Sequence, residues 1–464
     1  MDKKDPSYLG KGNVAKLLFQ LALPAIAAQI INLLYNLVDR MYIGHIPVVG
    51  AQALTGMGVC MPVIMCISAF AALVSMGAAP RASILMGRQD NDGAEKILGN
   101  AAFTLAVLSL VLTALFLLGG RSILMVFGAS DNTIGYALSY MQIYVLGTFF
   151  VQMTLGMNAF ISAQGYAKTS MYTVMLGAVL NILLDPVFIF GFKMGVRGAA
   201  LATILSQAVS CIWVLHFLTS DRSFLRIRRK NLRFEPKVMV PCLTLGVAPF
   251  IMQFTEAVLA ICFNSSLLRY GGDVAVGAMT ILTSVMQFSM LPLQGLTQGA
   301  QPIISYNYGA RSIHRVKQAF RALLVSCLSY STLIWAISMF LPKVFVLIFA
   351  NDPTLIDFTV WAIHIYMAAS LIFGAQIACQ QTFIALGNAK SSMFLALLRK
   401  VILLIPLIYI LPAFLENKVF AVFLAEPVAD VIAVSVTCTM FFVSFRKLCR
   451  QMENEGTVEL PDHG

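Results

Sequence analysis

Twelve apolar stretches of membrane-spanning length leave this chain little room to be anything but a bundle of transmembrane helices. A span needs about 20 mostly apolar residues at 1.5 Å rise each. Such stretches fall at 15–39, 51–76, 97–119, 134–158, 168–191, 197–218, 240–267, 274–300, 317–341, 357–381, 391–415 and 419–444. Only 11% of the 464 residues are charged, against about 25% in a soluble domain. The runs are too long for barrel strands and lack period-two alternation. The second span carries Pro62 and the eighth Pro292, and both helices are expected to kink there, since a membrane helix tolerates proline when neighbours satisfy the freed backbone.

Charge placement sets the orientation. With both termini on the cytoplasmic side, 23 Lys and Arg fall on that face and seven on the other, which is the positive-inside bias. Seven of the 23 lie between 219 and 239, from Arg222 to Lys237. The net charge of +11 therefore reads as attraction to anionic lipid and not to nucleic acid. Lys16 followed by a span-length apolar run indicates an uncleaved first helix. The nine cysteines are scattered without a CxxC pair and read as small buried hydrophobes, not as metal ligands.

The chain also repeats itself. Gly77, Pro80, Ser83 and Gly87 match Gly299, Pro302, Ser305 and Gly309 at an offset of 222. Gly165, Ala167, Lys168, Ser170 and Met171 match Gly387, Ala389, Lys390, Ser392 and Met393 at the same offset. Leu23-Pro24 and Ala248-Pro249 open the two halves at nearly the same shift. Six spans return the chain to its starting side, so both halves insert the same way up. The expected fold is an all-α membrane protein of twelve transmembrane helices in two pseudo-symmetric six-helix lobes. The lobes are 1–218 and 240–445, joined by a basic cytoplasmic linker at 219–239 and followed by a cytoplasmic tail at 446–464. Such a design suits alternating access.

Ionisable groups inside the bilayer are costly and mark function by default. Gln29, Asn32, Asn36 and Asp39 recur at spacings of three and four, on one helix face. At 1.5 Å per residue Asp39 lies about 34 Å up the first helix, and Asn181 and Asp185 about 20 and 26 Å up the fifth. Thr203 lies about 9 Å down the sixth helix from its outer end. Pro186 cannot donate a backbone bond and crowds the carbonyl of Ile182, which frees an acceptor beside Asp185. Two carboxylates, an amide, a hydroxyl and a loose carbonyl are what a proton or Na⁺ site needs. In the second half, Glu256 lies about 23 Å up the seventh helix. Arg399 and Lys400 on span eleven reach nearly the depth of Asp430 on span twelve, with Glu426 one turn further out, so an Arg399–Asp430 pair is expected. The 24 methionines, with aromatics such as Phe288 and Tyr366, would suit a cavity for varied apolar cations.

Across nearly its full length the chain resembles the MATE (multidrug and toxic compound extrusion) family, in particular its bacterial DinF/MepA-like branch. The residues that carry the resemblance are Leu23-Pro24, the segment from Val38-Asp39 to Ile43-Gly44, Gly77-x-x-Pro80, Gly165 with Lys168, Asn181-x-x-x-Asp185-Pro186, and their second-half echoes. The resemblance implies a cation-coupling site at Asp39, Asn181, Asp185 and Thr203, with Asn36 beside it. Glu256 matches the seventh-helix glutamate that NorM-like members use in coupling, and Arg399, Glu426 and Asp430 are further second-lobe candidates. It implies a monomeric antiporter in the plasma membrane of a prokaryote, with no resident cofactor. Small organic cations would be exported against H⁺ or Na⁺. A lipid-linked oligosaccharide flippase of the same superfamily is the alternative, and only Arg399 and Lys400 point towards its pyrophosphate. No HExxH, GxSxG or Walker A sequence is present, which argues against an enzyme or direct ATP use.

Overall fold

The computed structural model describes residues 6–127, 129–348 and 352–458. Lys3 and Lys4 of the basic N-terminus and residues 459–464 of the expected tail lie outside them. The first half comprises α1 (Val14–Gly44), α2 (Gly50–Gly87), α3 (Asn91–Val126), α4 (Ile134–Leu146), α5 (Thr148–Ala163), α6 (Ala167–Pro186) and α7 (Val196–Thr219). The second begins with α8 (Pro236–Gly309) and continues through α9 (Ile313–Phe340), α10 (Pro342–Val346), α11 (Pro353–Tyr366), α12 (Ser370–Ala385), α13 (Ala389–Leu397), α14 (Ile405–Phe414) and α15 (Lys418–Val458). No strand occurs among the described residues.

Among the described residues, nine helical stretches are long and apolar enough to cross a membrane, and α4 with α5 and α11 with α12 form two further crossings as bent pairs. One of the nine, α8, is two helices that meet at Gly272, where φ is 66°. Twelve crossings result. The second and eighth spans run on through Pro62 and Pro292 and do not end there. The bends of 57° and 51° lie between α4 and α5 and between α11 and α12, whereas α2 runs on through Pro62. Backbone groups freed by a proline can be satisfied locally in a packed helix. At Gly147, between α4 and α5, a Cβ would lie 2.5 Å from Ile204, so the position requires glycine.

The chain divides into two compact units. The first holds Leu23–Phe250 with the N-terminal residues through Leu9, and the second holds Gly10–Ala22 with the chain from Ile251 onward. The expected lobe boundaries therefore shift at both opening segments. Residues 10–22 pack in the second unit, and the start of α8 packs in the first. Close backbone contact explains both. A Cβ on Gly77 would lie 1.9 Å from the Cys242 carbonyl oxygen, and one on Gly299 would lie 2.6 Å from the Ala22 nitrogen. Without a hydrophobic force between helices in lipid, small residues that admit such contacts carry the association.

The duplication is written into local geometry. The Ser83 hydroxyl donates to the Ala163 carbonyl at 2.8 Å, and Ser305, 222 residues later, donates to Ala385 at the same distance. Gly165 and Gly387 both turn the chain at positive φ, 88° and 75°, where a Cβ is disfavoured. Each unit has its own apolar core, one around Ile67, Phe116 and Tyr140 and the other around Phe263, Val285 and Phe423.

The basic segment 219–239 is no free linker. Buried Glu95 of α3 accepts the Arg226 amide at 3.2 Å and pairs with the Arg228 guanidinium. The Asn100 carbonyl oxygen accepts the Glu235 amide at 2.7 Å, and Lys96 pairs with Glu235 at 2.6 Å. These contacts stitch the segment to the first unit.

Candidate functional site

Two clusters of charged and polar side chains are buried at membrane depth, one in each unit. In the first, Asp39 reaches inward from α1 and Asn181 and Asp185 from α6. They are 4%, 2% and 0% exposed. Asp39 is therefore no solvent-exposed helix-end carboxylate, although its neighbour Arg40 is exposed and turns to the Met61 sulfur. The Asn181 amide nitrogen donates to Asp185 Oδ1 and to Thr203 Oγ1, both at 3.3 Å, and the Thr203 hydroxyl donates to the Ala199 carbonyl at 3.0 Å. The Asp39 and Asp185 carboxyls interact directly. Beyond Pro186 the helix loosens into a π-helical turn at Val187–Gly191.

Three oxygens in this cluster, Asp39 Oδ1, Asp185 Oδ2 and Asn181 Oδ1, are buried and receive no hydrogen bond from a described residue. A buried acceptor left so is expensive, and two like charges within ~4 Å repel by roughly 4 kcal/mol at an effective dielectric of about 20. A proton shared by the carboxyls, or a small hard cation bound by the oxygens, removes both costs. The Asn36 amide nitrogen donates to the Asn32 carbonyl at 2.7 Å on its own helix. Asn158 donates to the Ser170 carbonyl at 3.4 Å, a bond between α5 and α6.

The second unit sets two cations against three carboxylates. Arg399 Nε donates to Asp430 Oδ1 at 2.7 Å, and its Nη2 donates to Glu426 Oε1 at 2.8 Å. The Phe373 ring covers the guanidinium, 4.6 Å from Cζ to the ring centroid. The two carboxylates sit one turn apart on α15, so one planar guanidinium reaches both. The π-helical segment Leu398–Leu404 carries both cations. Adjacent side chains leave a helix in different directions, and the buried Lys400 ammonium pairs with Glu256 of α8 and donates to the Met252 carbonyl at 3.2 Å. The Glu256 side chain is 62% exposed.

At the shift of 225 that pairs Pro24 with Pro249, the position matching Asp39 holds Asn264, and at the offset of 222 those matching Asn181, Asp185 and Thr203 hold Leu403, Leu407 and Ala425. The first-unit position matching Glu256 at the shift of 225 holds Ile31, and those matching Arg399, Lys400, Glu426 and Asp430 at 222 hold Gly177, Ala178, Ile204 and Ala208. One scaffold thus carries two polar sites at different places.

The sequence matches the MatE family model over residues 24–187 and 249–410, one match in each repeat. The chain belongs to the MatE family. Among MatE relatives, the multidrug export protein MepA of Staphylococcus haemolyticus is 22% identical over 93% of this chain and 95% of its own length. MepA of Staphylococcus aureus strain N315 is 23% identical over 92% and 94%. Among solved structures, the MATE multidrug transporter DinF-BH is 32% identical, with a TM-score of 0.85 over 92% of this chain and 95% of that one. A MATE structure in the bent conformation superposes with a TM-score of 0.91 at 20% identity, over 98% and 100%. This MatE chain is accordingly a multi-pass membrane transporter.

Several site residues escape a reading by helix depth. Tyr140 of α4 interacts with Thr203, and Tyr35, Tyr140 and Tyr144 lie close enough to the carboxylates or to one another to interact electrostatically. Tyr140 and Tyr144 stack at 5.9 Å. Their spacing of four on one helix is the only sequence signal, and it is shared with ordinary packing. Met286, Met290 and Met367 converge with Tyr330 and Phe373 on a space of about 10 Å³, about one water. Phe288 is 49% exposed, and Tyr366 packs against Phe263.

Proposed function

We propose that this MatE transporter is a cation-coupled antiporter of a prokaryotic plasma membrane. It exports amphipathic organic cations, with both termini cytoplasmic and H⁺ or Na⁺ entering through the first unit. The observation that carries the proposal is the buried trio of unsatisfied oxygens on Asp39, Asn181 and Asp185. Such a site is stable with a cation and costly without one. A ligand that binds one state better than another shifts the balance between them, so a site that must be filled in one state and emptied in the next drives alternating access. The names of the relatives, multidrug export proteins, support drugs or toxic metabolites as cargo.

The second unit has its cations built in. Arg399 bridges Glu426 and Asp430, and Lys400 holds Glu256. Coupling is assigned to the first unit because its three orphaned oxygens accept from no described side chain, whereas each second-unit carboxylate has a cationic partner. The same pairing leaves neither Arg399 nor Lys400 free for a pyrophosphate, which argues against the flippase alternative.

The test is efflux of a fluorescent organic cation from proteoliposomes holding the purified protein, with pH and Na⁺ gradients imposed separately. Export driven by at least one gradient is expected. Equal transport with neither gradient present would overturn the proposal.

A further inference from the structure

A cavity of about 210 Å³ opens beside the end of α15, lined by Phe383, Leu386, Asn388, Phe441, Phe445 and Lys447, with Tyr308, Ser444 and Gln451 at its edge. It borders the turn at Gly387, the repeat partner of the turn at Gly165. In the first unit the equivalent place is filled by the chain itself. Where the second unit has Leu386 and Asn388, the first has Gln164 and Tyr166. Gln164 Oε1 accepts the Ser223 hydroxyl at 3.1 Å and the Leu225 amide at 2.8 Å, and the Tyr166 hydroxyl donates to the Arg222 carbonyl at 3.1 Å. Ser223 and Leu225 are 0% and 1% exposed. The chain leaving α7 turns across this spot and seals it. The chain leaving the last span does not turn, because α15 continues as a helix to Val458, and the cavity stays open.

Its chemistry is that of an interfacial anion site. The floor is aromatic: Phe383 meets Phe441 edge-on at 5.1 Å, and Phe441 stacks on Phe445 at 5.0 Å. The rim carries one ammonium, Lys447, and the neutral donors Tyr308, Asn388 and Gln451. The Asn388 carbonyl oxygen is already committed, as it accepts the Ser391 amide at 3.2 Å, which leaves its amide nitrogen as the outward group. Arg446 and Arg450 flank Lys447 just past the apolar run of α15, and Phe442 and Val443 are exposed one turn towards the membrane. The volume is below the roughly 300–1,000 Å³ of a drug-sized pocket. Basic pockets between membrane helices near the cytoplasmic face bind anionic headgroups.

We propose that this cavity binds the headgroup of one anionic glycerophospholipid. Its phosphate lies against Lys447, Tyr308 and Asn388, and its acyl chains lie along the outer surface of α15. The lipid fills in the second unit the place that residues 222–225 fill in the first.

The test is native mass spectrometry of the purified full chain in mixed micelles with phosphatidylglycerol and phosphatidylcholine, paired with thermal stability. One phosphatidylglycerol should be retained where phosphatidylcholine is stripped. Lys447→Glu removes the ammonium, and Ser444→Trp fills the space. Each should lower occupancy by about tenfold or more, the scale of one lost charge-assisted hydrogen bond. Arg446→Glu makes the same charge change off the cavity wall and should leave occupancy within about twofold, as a screened surface charge does. Equal losses in Lys447→Glu and Arg446→Glu, with Ser444→Trp unchanged, would mean diffuse surface attraction and overturn the proposal. Stabilisation by inorganic phosphate to the same extent would do so too, by making the ligand a free anion. A gain of about tenfold or more on deleting residues 459–464 would make the acidic tail the occupant and also overturn it.

Discussion

Removing Arg399 should damage this protein more than removing either of its carboxylate partners, by an amount the geometry sets. The guanidinium bonds Asp430 at 2.7 Å and Glu426 at 2.8 Å, and the two carboxylates are 3% and 5% exposed. Arg399→Ala therefore strands two buried negative charges at once. Breaking a buried pair costs about 3–5 kcal/mol, and the upper end applies here. Asp430→Ala leaves Arg399 bonded to Glu426 and covered by Phe373, so it loses one charge-assisted hydrogen bond, worth about 1.5–3 kcal/mol. In the double variant Arg399→Ala with Asp430→Ala, only Glu426 remains stranded. The two single losses should then exceed the double loss by about 1–3 kcal/mol, the range of coupling between groups in one network. The assay is reversible denaturant unfolding in mixed micelles for the parent, both single variants and the double. Strict additivity, or an Arg399→Ala loss no larger than that of Asp430→Ala, would refute the shared-guanidinium reasoning.

Three further outcomes are expected. Asp185→Asn should abolish gradient-driven export while the protein still inserts and folds, because an amide cannot exchange a proton or hold Na⁺ as a carboxylate does. Transport at the parent rate under the same gradient would place coupling elsewhere. Ser83→Ala and Ser305→Ala each leave a helix-end carbonyl without its donor, and should cost about 1–3 kcal/mol apiece, equal to within about 0.5 kcal/mol if the repeats are energetically alike. Gly77→Ala should cost at least about 1–3 kcal/mol through overpacking against the Cys242 carbonyl. Gly58→Ala, with nothing within 4 Å of its Cβ, should be neutral or mildly stabilising, as expected for alanine over glycine in a helix. Thermal unfolding of the detergent-solubilised variants reads each of these losses.

What the sequence made legible follows from which forces are local. Span-length apolar runs report directly on the solvent, so the helices could be read one by one. An offset of 222 held by Gly77, Pro80, Ser83 and Gly165 reported the duplication, because close packing and positive φ restrict residue type at those points. The spacing of four between Asn181 and Asp185 put amide and carboxylate on one face without further information, and shared depth brought Arg399 to Asp430. The features that stayed hidden depend on contacts between distant segments. The bend between α4 and α5 has no local marker, and the need for glycine at Gly147 comes from Ile204 on another helix. Nothing local in Glu95, Asn100 or Gln164 marks them as anchors for a segment more than fifty residues away. The exchange of residues 10–22 into the second unit rests on Gly299 lying against Ala22. Asn36 shares a face with Asp39 by spacing, yet its amide turns to the carbonyl four residues back, a choice that periodicity cannot distinguish.

In the proposed mechanism, cargo and coupling ion exclude each other through the first-unit carboxylates. This exclusion is tested most directly by measuring ion release when an organic cation binds the purified protein, using pH change in weak buffer for H⁺ and equilibrium binding of labelled Na⁺. Cargo is expected to displace one ion species from the parent and none from Asp39→Asn or Asp185→Asn, while Glu256→Gln releases as the parent does. Cargo binding without release of either ion, or release that survives Asp185→Asn and vanishes in Glu256→Gln, would contradict it.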